Sequence, residues 1–238
     1  MNLLTARLAN SPVAARVAPF ITFLALTFCQ DYFGDAGRYW FYLAKTLIGA
    51  WMLWMVRGIV QEMRWKLSWE AVLAGIAVFV LWVGLDQIVP TERELWGKVG
   101  AAGANPGSPP PSLAAAWNPL AQFGHGTGWF FCAVRVLGMT LVVPPLEEVF
   151  YRSFLYRWIA RPDFAAVPLG QFAWKPFLIA VLIFGLAHNE WLPGILCAAF
   201  YQGLVCWRKR LGDAMTAHAV TNFLLGVWVV WRGAWHFW

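Results

Sequence analysis

The chain is a succession of long apolar runs separated by short polar loops, and that rhythm constrains it more than any other feature. Val17–Phe33, Tyr39–Val60 and Trp69–Pro90 come first. Each is close to the roughly 20 residues, or about 17 at the short end, that a helix needs to cross a bilayer. After a gap follow Thr127–Val143, which ends at Pro144-Pro145, and then Glu147–Ala160, Lys175–His188, Leu192–Trp207 and Asp213–Trp231. With 60% hydrophobic and 13% charged residues, the chain departs from soluble domains, which carry roughly 45–50% apolar and 25% charged residues. Its 17 tryptophans suit a protein with many helix ends at a membrane surface.

The expected fold is all-α: one polytopic transmembrane helical bundle over residues 1–238, with a polar intramembrane cavity. Residues 1–126 supply N-terminal helices and a Gly/Pro-rich loop, and residues 127–231 supply the helices with the polar motifs. Counting Thr127–Ala160 as one crossing broken at the double proline gives seven helices. Counting Glu147–Ala160 separately gives eight. Thr91–Gly126, with Pro109-Pro110-Pro111, has no helical periodicity and reads as an exposed loop. Arg7 and Arg16 ahead of Val17–Phe33 superficially resemble a secretory signal, but no small-residue cleavage site follows. A retained first helix is expected.

A net charge of +6 on a soluble protein would raise nucleic acid as a partner. Here many basic residues cluster in short loops, where they report topology instead, and no nucleic-acid partner is expected. With the N-terminus in the cytoplasm, Arg57, Arg64 and Lys66 fall inside, as do Arg157, Arg161, Lys175 and Arg208-Lys209-Arg210. Asp31, Asp35, Asp86, Glu92 and Glu94 fall outside, with Arg38, Arg93, Lys98 and Arg232 as basic exceptions. Cys29, Cys132, Cys197 and Cys206 lie in apolar stretches without CxxC spacing. They read as free buried thiols.

Ionisable residues inside a membrane bundle are costly and are functional candidates by default. Glu147 and Glu148 follow the double proline, with Arg152 four residues beyond Glu148. His188 ends an apolar run, with Phe184 four residues before it, and His218 and Asn222 lie four apart and so share a helix face. Glu147 is 14 residues before Arg161 and His188 is 13 after Lys175, so both lie roughly 20 Å from one interface at about 1.5 Å per residue. His218, eight residues past Arg210, lies roughly 12 Å in. The groups can therefore meet near mid-depth. Bland readings stand beside this one. Glu148 and Arg152 suit a buried structural ion pair, either histidine alone suits a helix contact, and Asn222 alone suits an interhelical hydrogen bond. Arg135 has no motif around it and reads as structural or snorkelling. His125 and His236 are assigned to loop and tail.

Glu147-Glu148-x-x-x-Arg152, Phe184-x-x-x-His188 and His218-x-x-x-Asn222 resemble the three motifs of the CAAX protease and bacteriocin-processing family. That family resembles the type II CAAX prenyl endopeptidases, and the compact form is also similar to bacterial members associated with exosortase systems. Ser153 departs from the glycine that many members carry after the arginine, a change expected to affect packing more than chemistry. The resemblance implies a glutamate-dependent intramembrane endopeptidase in the bacterial cytoplasmic (inner) membrane. Its partners would be the lipid bilayer and a membrane-associated protein or peptide, without a cofactor. It further implies that Glu147 and His188 activate a water, that His218 and Asn222 stabilise the oxyanion, and that Glu148 and Arg152 support them. Two alternatives remain: a zinc protease with Glu147, His188 and His218 as ligands, and a non-catalytic membrane scaffold.

Overall fold

A computed structural model describes residues 3–86, 88–92, 94–95, 97 and 117–238. Among these the chain is helical, with no strand. In order come α1 (Leu3–Ala9), α2 (Pro12–Cys29), α3 (Gly34–Val56), α4 (Trp69–Leu85) and α5 (Pro119–Phe123). Then follow α6 (His125–Ala160), α7 (Trp174–Leu186), α8 (Trp191–Arg208) and α9 (Leu211–Arg232). Helix α2 starts ahead of the expected Val17 because Ser11 caps it, accepting from Ala14 N at 3.1 Å, with Pro12 in the first turn. Ser68 and Asn118 cap α4 and α5 in the same way.

The double proline does not end a helix. Helix α6 runs through it for 36 residues, and the expected break is replaced by two wide turns. π-Helical segments Gly138–Val142 and Val149–Leu155 flank Pro144-Pro145, and the Val143 N–H bonds to Gly138 O, five residues back. Proline lacks an N–H and crowds the carbonyl four residues before it. Widening the turn accommodates both defects without breaking the axis, and such bulges recur at functional sites.

Three helices, α2, α6 and α9, are long and apolar enough to cross a membrane, and α4 and α7 are apolar but shorter. Large apolar side chains such as Trp54, Leu73, Val80, Leu141 and Ile183 face outward, as expected where lipid rather than water is the solvent. The loops rich in basic residues gather at one end. Lys209 Nζ bonds to Gly170 O, Arg208 pairs with Glu70 at 2.9 Å, and Thr216 Oγ1 donates to Lys66 O at 3.0 Å. Asp213 is fully buried there, accepting from Ser68 at 2.7 Å and from Arg210 at 2.7 Å. At the other end His236 meets Asp86 at 3.1 Å, and Trp191 Nε1 donates to Pro90 O at 3.1 Å.

Several expectations need correction. His125 opens α6 and does not lie in a loop, because Gly124 (φ 71°) turns the chain straight from α5 into it. Residues 98–116, including Pro109-Pro110-Pro111, fall outside the described residues. All four cysteines are free, but Cys29 is exposed and Cys206 half-buried; Cys132 and Cys197 are buried. Apolar runs in a bundle have an outward face, so lying in one does not entail burial.

Ser153 is not a packing substitution alone. Its hydroxyl donates to Glu62 Oε1 and accepts from Arg16 Nε at 3.1 Å, while Arg16 pairs with Glu62 at 2.7 Å. The network ties α2 and the 57–68 loop to α6 just beyond the glutamates. Burial pushes the Glu62 carboxyl up, but bonds from Ser153, the backbone and Arg16 outweigh it and hold it below the ordinary glutamate range. A depressed carboxylate contributes stability above its unfolded pKa, and that contribution is lost as pH falls through the folded value. Glu62→Gln should therefore melt earlier than wild type at neutral pH, by roughly 1.5–3 kcal/mol. The gap should close in acid; a gap that persists unchanged at pH 3 would show that the charge is not what matters.

Candidate active site

Helix α6 carries Glu147, Glu148 and Arg152, His188 lies two residues past the end of α7, and α9 carries His218 and Asn222. Close helix approaches set the positions of these helices. A Cβ on Gly75 of α4 would stand 2.5 Å from Ala217 O, beside His218. Where the last turn of α7 meets α8, a Cβ on Gly185 would stand 2.2 Å from Ile195 Cγ1 and 2.7 Å from its backbone N. Gly185→Ala should thus push His188 away, lowering stability by about 1–3 kcal/mol and any activity with it. Gly84→Ala, with nothing within 4 Å, should be neutral or slightly stabilising. Equal behaviour of the two variants would contradict this account.

At the centre, Glu148 is fully buried and takes Arg152 Nε at 3.1 Å, one turn along the same helix. Its other oxygen meets His218 Nδ1 at 2.9 Å across to α9. The bland ion pair and the interhelical contact are therefore both present, and they share one carboxylate. With Nδ1 engaged, Nε2 is the nitrogen that His218 turns toward Glu147, at 3.9 Å from Oε2. That Glu147 oxygen is buried and has no hydrogen-bond partner among the described residues. The Arg152 guanidinium lies 4.3 Å from the centroid of the Phe184 ring.

His188 packs on the same phenylalanine. Phe184 lies 4.5 Å from His188 and 6.3 Å from His218, centroid to centroid, so its ring contacts both histidines. The His188 Nδ1 meets Phe184 O at 2.7 Å. A carbonyl accepts only, so in a neutral ring Nδ1 carries the hydrogen and Nε2 is an acceptor. Asn222, one turn beyond His218, donates through Nδ2 to Met139 O at 2.7 Å. That carbonyl lies inside the first π-helical segment of α6, so the wide turn offers a bond that a regular helix would use internally.

Sequence reasoning missed the groups that hold His218 flat. Tyr201 of α8 stacks on its ring at 5.1 Å and 27°, and donates to Thr221 Oγ1 at 2.7 Å. Thr221 in turn bonds to Gly75 O at 2.8 Å. Trp82 packs edge-on against His188 at 5.8 Å. Uncharged polar side chains in apolar runs were the available signal. Among the described residues no three His, Cys, Asp or Glu side chains are grouped to hold a metal ion; Glu147, His188 and His218 do not present themselves together as ligands. A cavity of about 270 Å³ lies among Ala160, Arg161 and Gln171, at the loop end.

Residues 128–224 match the family described as type II CAAX prenyl endopeptidase Rce1-like. The matched segment contains all three polar motifs, and together with the apolar helices the match points to an integral membrane protein. Among curated proteins, the probable inorganic carbon transporter subunit DabB of Bacillus subtilis (strain 168) is 27% identical over 103 residues, 43% of this chain. The chain spans 19% of that protein's length. No solved structure matches the chain.

Proposed function

We propose that the protein is a glutamate-dependent intramembrane endopeptidase in a bacterial cytoplasmic membrane, working in a polar cavity between α6, α7 and α9. The observation that carries this reading is the buried Glu147 oxygen, without a hydrogen bond among the described residues and facing His218, inside the segment that matches the CAAX endopeptidase family. The whole chain forms one bundle of seven crossings, with the N-terminus and the basic loops in the cytoplasm. Glu147 and the acceptor nitrogen of His188 hold a water. As the water oxygen attacks the peptide carbonyl carbon, Glu147 takes its proton. The imidazolium form of His218, with Nδ1–H on Glu148 and Nε2–H free, and the second amide hydrogen of Asn222 donate to the oxyanion, an interaction worth about 3–4 kcal/mol per donor. The proton then passes from Glu147 to the amide nitrogen, the C–N bond breaks, and a carboxylic acid and an amine leave, which ionise to carboxylate and ammonium. Glu148 orients His218, and Arg152 neutralises Glu148.

The substrate is a membrane-anchored protein or peptide. A non-catalytic membrane role is the second reading, favoured by the similarity to a segment of DabB, a probable transporter subunit. Reconstituted protein should cleave an anchored peptide library whose bonds lie on the cytoplasmic side and spare one whose bonds lie outside. Activity should survive exhaustive chelation. Loss on chelation with recovery on added zinc would reassign Glu147, His188 and His218 as ligands. Failure to cleave any library, with unchanged peptide termini in cells lacking the protein, would favour the second reading.

A further inference from the structure

At the end of the bundle remote from the 57–68 loop, a second group of polar atoms has no assigned work. Arg38 lies near the start of α3, 18 residues before Val56, so roughly 27 Å from that loop. Its guanidinium sits over the Tyr39 ring at 5.1 Å and donates to the Tyr39 hydroxyl at 3.3 Å. Tyr39 packs on Trp117, ring centroids 4.4 Å apart. Arg135 of α6 packs on Trp117 as well. Its guanidinium lies 4.7 Å from the Tyr42 and Trp117 centroids and 5.8 Å from that of Trp238. Snorkelling does not describe this arginine; three rings cage it.

What the cage lacks is an acceptor. The Arg135 guanidinium has no carboxylate partner and no hydrogen bond among the described residues. Trp117 is 4% exposed, and among the described residues its indole N–H is buried without an acceptor, as is that of Trp238. Indole N–H and guanidinium are donors only, and buried donors are rarely left unmatched. Three donor groups with a second cation beside them call for one anion with several lone pairs. The flanking Trp40, Trp129 and Phe130 are exposed on the bundle surface, where aromatic side chains mark the headgroup level.

The geometry points to a binding site for the phosphate of an anionic phospholipid headgroup, held by Arg135 and the indoles of Trp117 and Trp238, with Arg38 adding charge. A phosphate oxygen takes guanidinium and indole N–H bonds together, and charge-assisted bonds of this kind are the strong ones. The acyl chains lie along the apolar faces of α3 and α6. The site is separate from the glutamates, which lie 12 residues further along α6.

Thermal melts of the purified full chain in nanodiscs test this. With wild type, replacing phosphatidylcholine by phosphatidylglycerol should raise the melting temperature, and native mass spectrometry should retain one phosphatidylglycerol per chain. Arg135→Gln should need about tenfold more phosphatidylglycerol for the same retention, the loss of one strong charge-assisted contact. Trp117→Phe, which keeps the ring and removes the N–H, should weaken retention severalfold and so carries the test if Arg135→Gln fails to fold. Retention unchanged in Trp117→Phe, or equal for phosphatidylcholine, overturns the proposal. Inorganic phosphate at millimolar concentration should not compete; if it displaces the lipid signal, the site is one for free phosphate and the lipid assignment falls.

Discussion

Glu147→Gln is expected to reduce cleavage to background while leaving insertion, expression and the gel-filtration profile as in wild type. The substitution preserves shape and one acceptor oxygen but removes the group that takes a proton from water. General-base removal alone costs about 10²–10⁴ in rate, and here the same carboxyl returns the proton to the leaving amine, so both halves of the reaction suffer. The fold should tolerate it, because Glu147 makes no hydrogen bond through Oε2 and is the more exposed of the two glutamates, at 17% against 0% for Glu148. His188→Ala should be nearly as severe. Asn222→Ala should retain measurable turnover, since loss of one oxyanion donor costs about 10²–10³. Full activity of the Glu147→Gln variant in a single-turnover assay would falsify the glutamate-base mechanism.

Arg152→Ala should do the opposite: unfold the protein more than it alters chemistry in whatever survives. Its loss leaves Glu148, at 0% exposure, facing His218 alone. Removing one partner of a buried ion pair costs about 3–5 kcal/mol, a large share of the margin of a folded domain. The guanidinium also covers the Phe184 ring, so packing is lost with the charge. The expected readouts are low yield and a clearly lowered melting temperature in detergent. Adding Glu148→Gln to Arg152→Ala should recover part of that stability by removing the stranded charge, yet not activity, because His218 then loses the carboxylate that orients it. A single Arg152→Ala variant as stable as wild type would remove the ion pair from any account of the fold.

The helical architecture was legible because lipid leaves few alternatives: an apolar run of sufficient length becomes a helix whatever its neighbours do. Boundaries were less legible, and the differences have local causes. Capping by Ser11 and Pro12 drew α2 forward, and Gly124 let α6 begin at His125. Reading α6 as broken weighs proline by its missing N–H alone, without the wide turn that absorbs it. At the site, spacing placed Glu148, Arg152, His218 and Asn222 correctly on shared faces, since i,i+4 pairs follow from helix geometry. What spacing could not reach were contacts between distant helices. The Ser153–Glu62–Arg16 network and the Tyr201–Thr221–Gly75 chain join residues 20 to 146 positions apart. The family match begins at residue 128, but these links make α2, the 57–68 loop and α4 part of what positions it.

The two π-helical segments also make α6 a stretch in which length is information. Each wide turn holds one residue more than an α-turn. Removing any one residue between 138 and 142 would let that turn close to regular α geometry with the faces downstream nearly unmoved. The carbonyl that now accepts from Asn222 would return to the helix's own ladder, although no named side chain had been lost. A count of residues between Arg135 and Glu147 is therefore as much a description of this protein as their identities are. A homologue that keeps all the motifs but differs by one residue in that interval has a different machine.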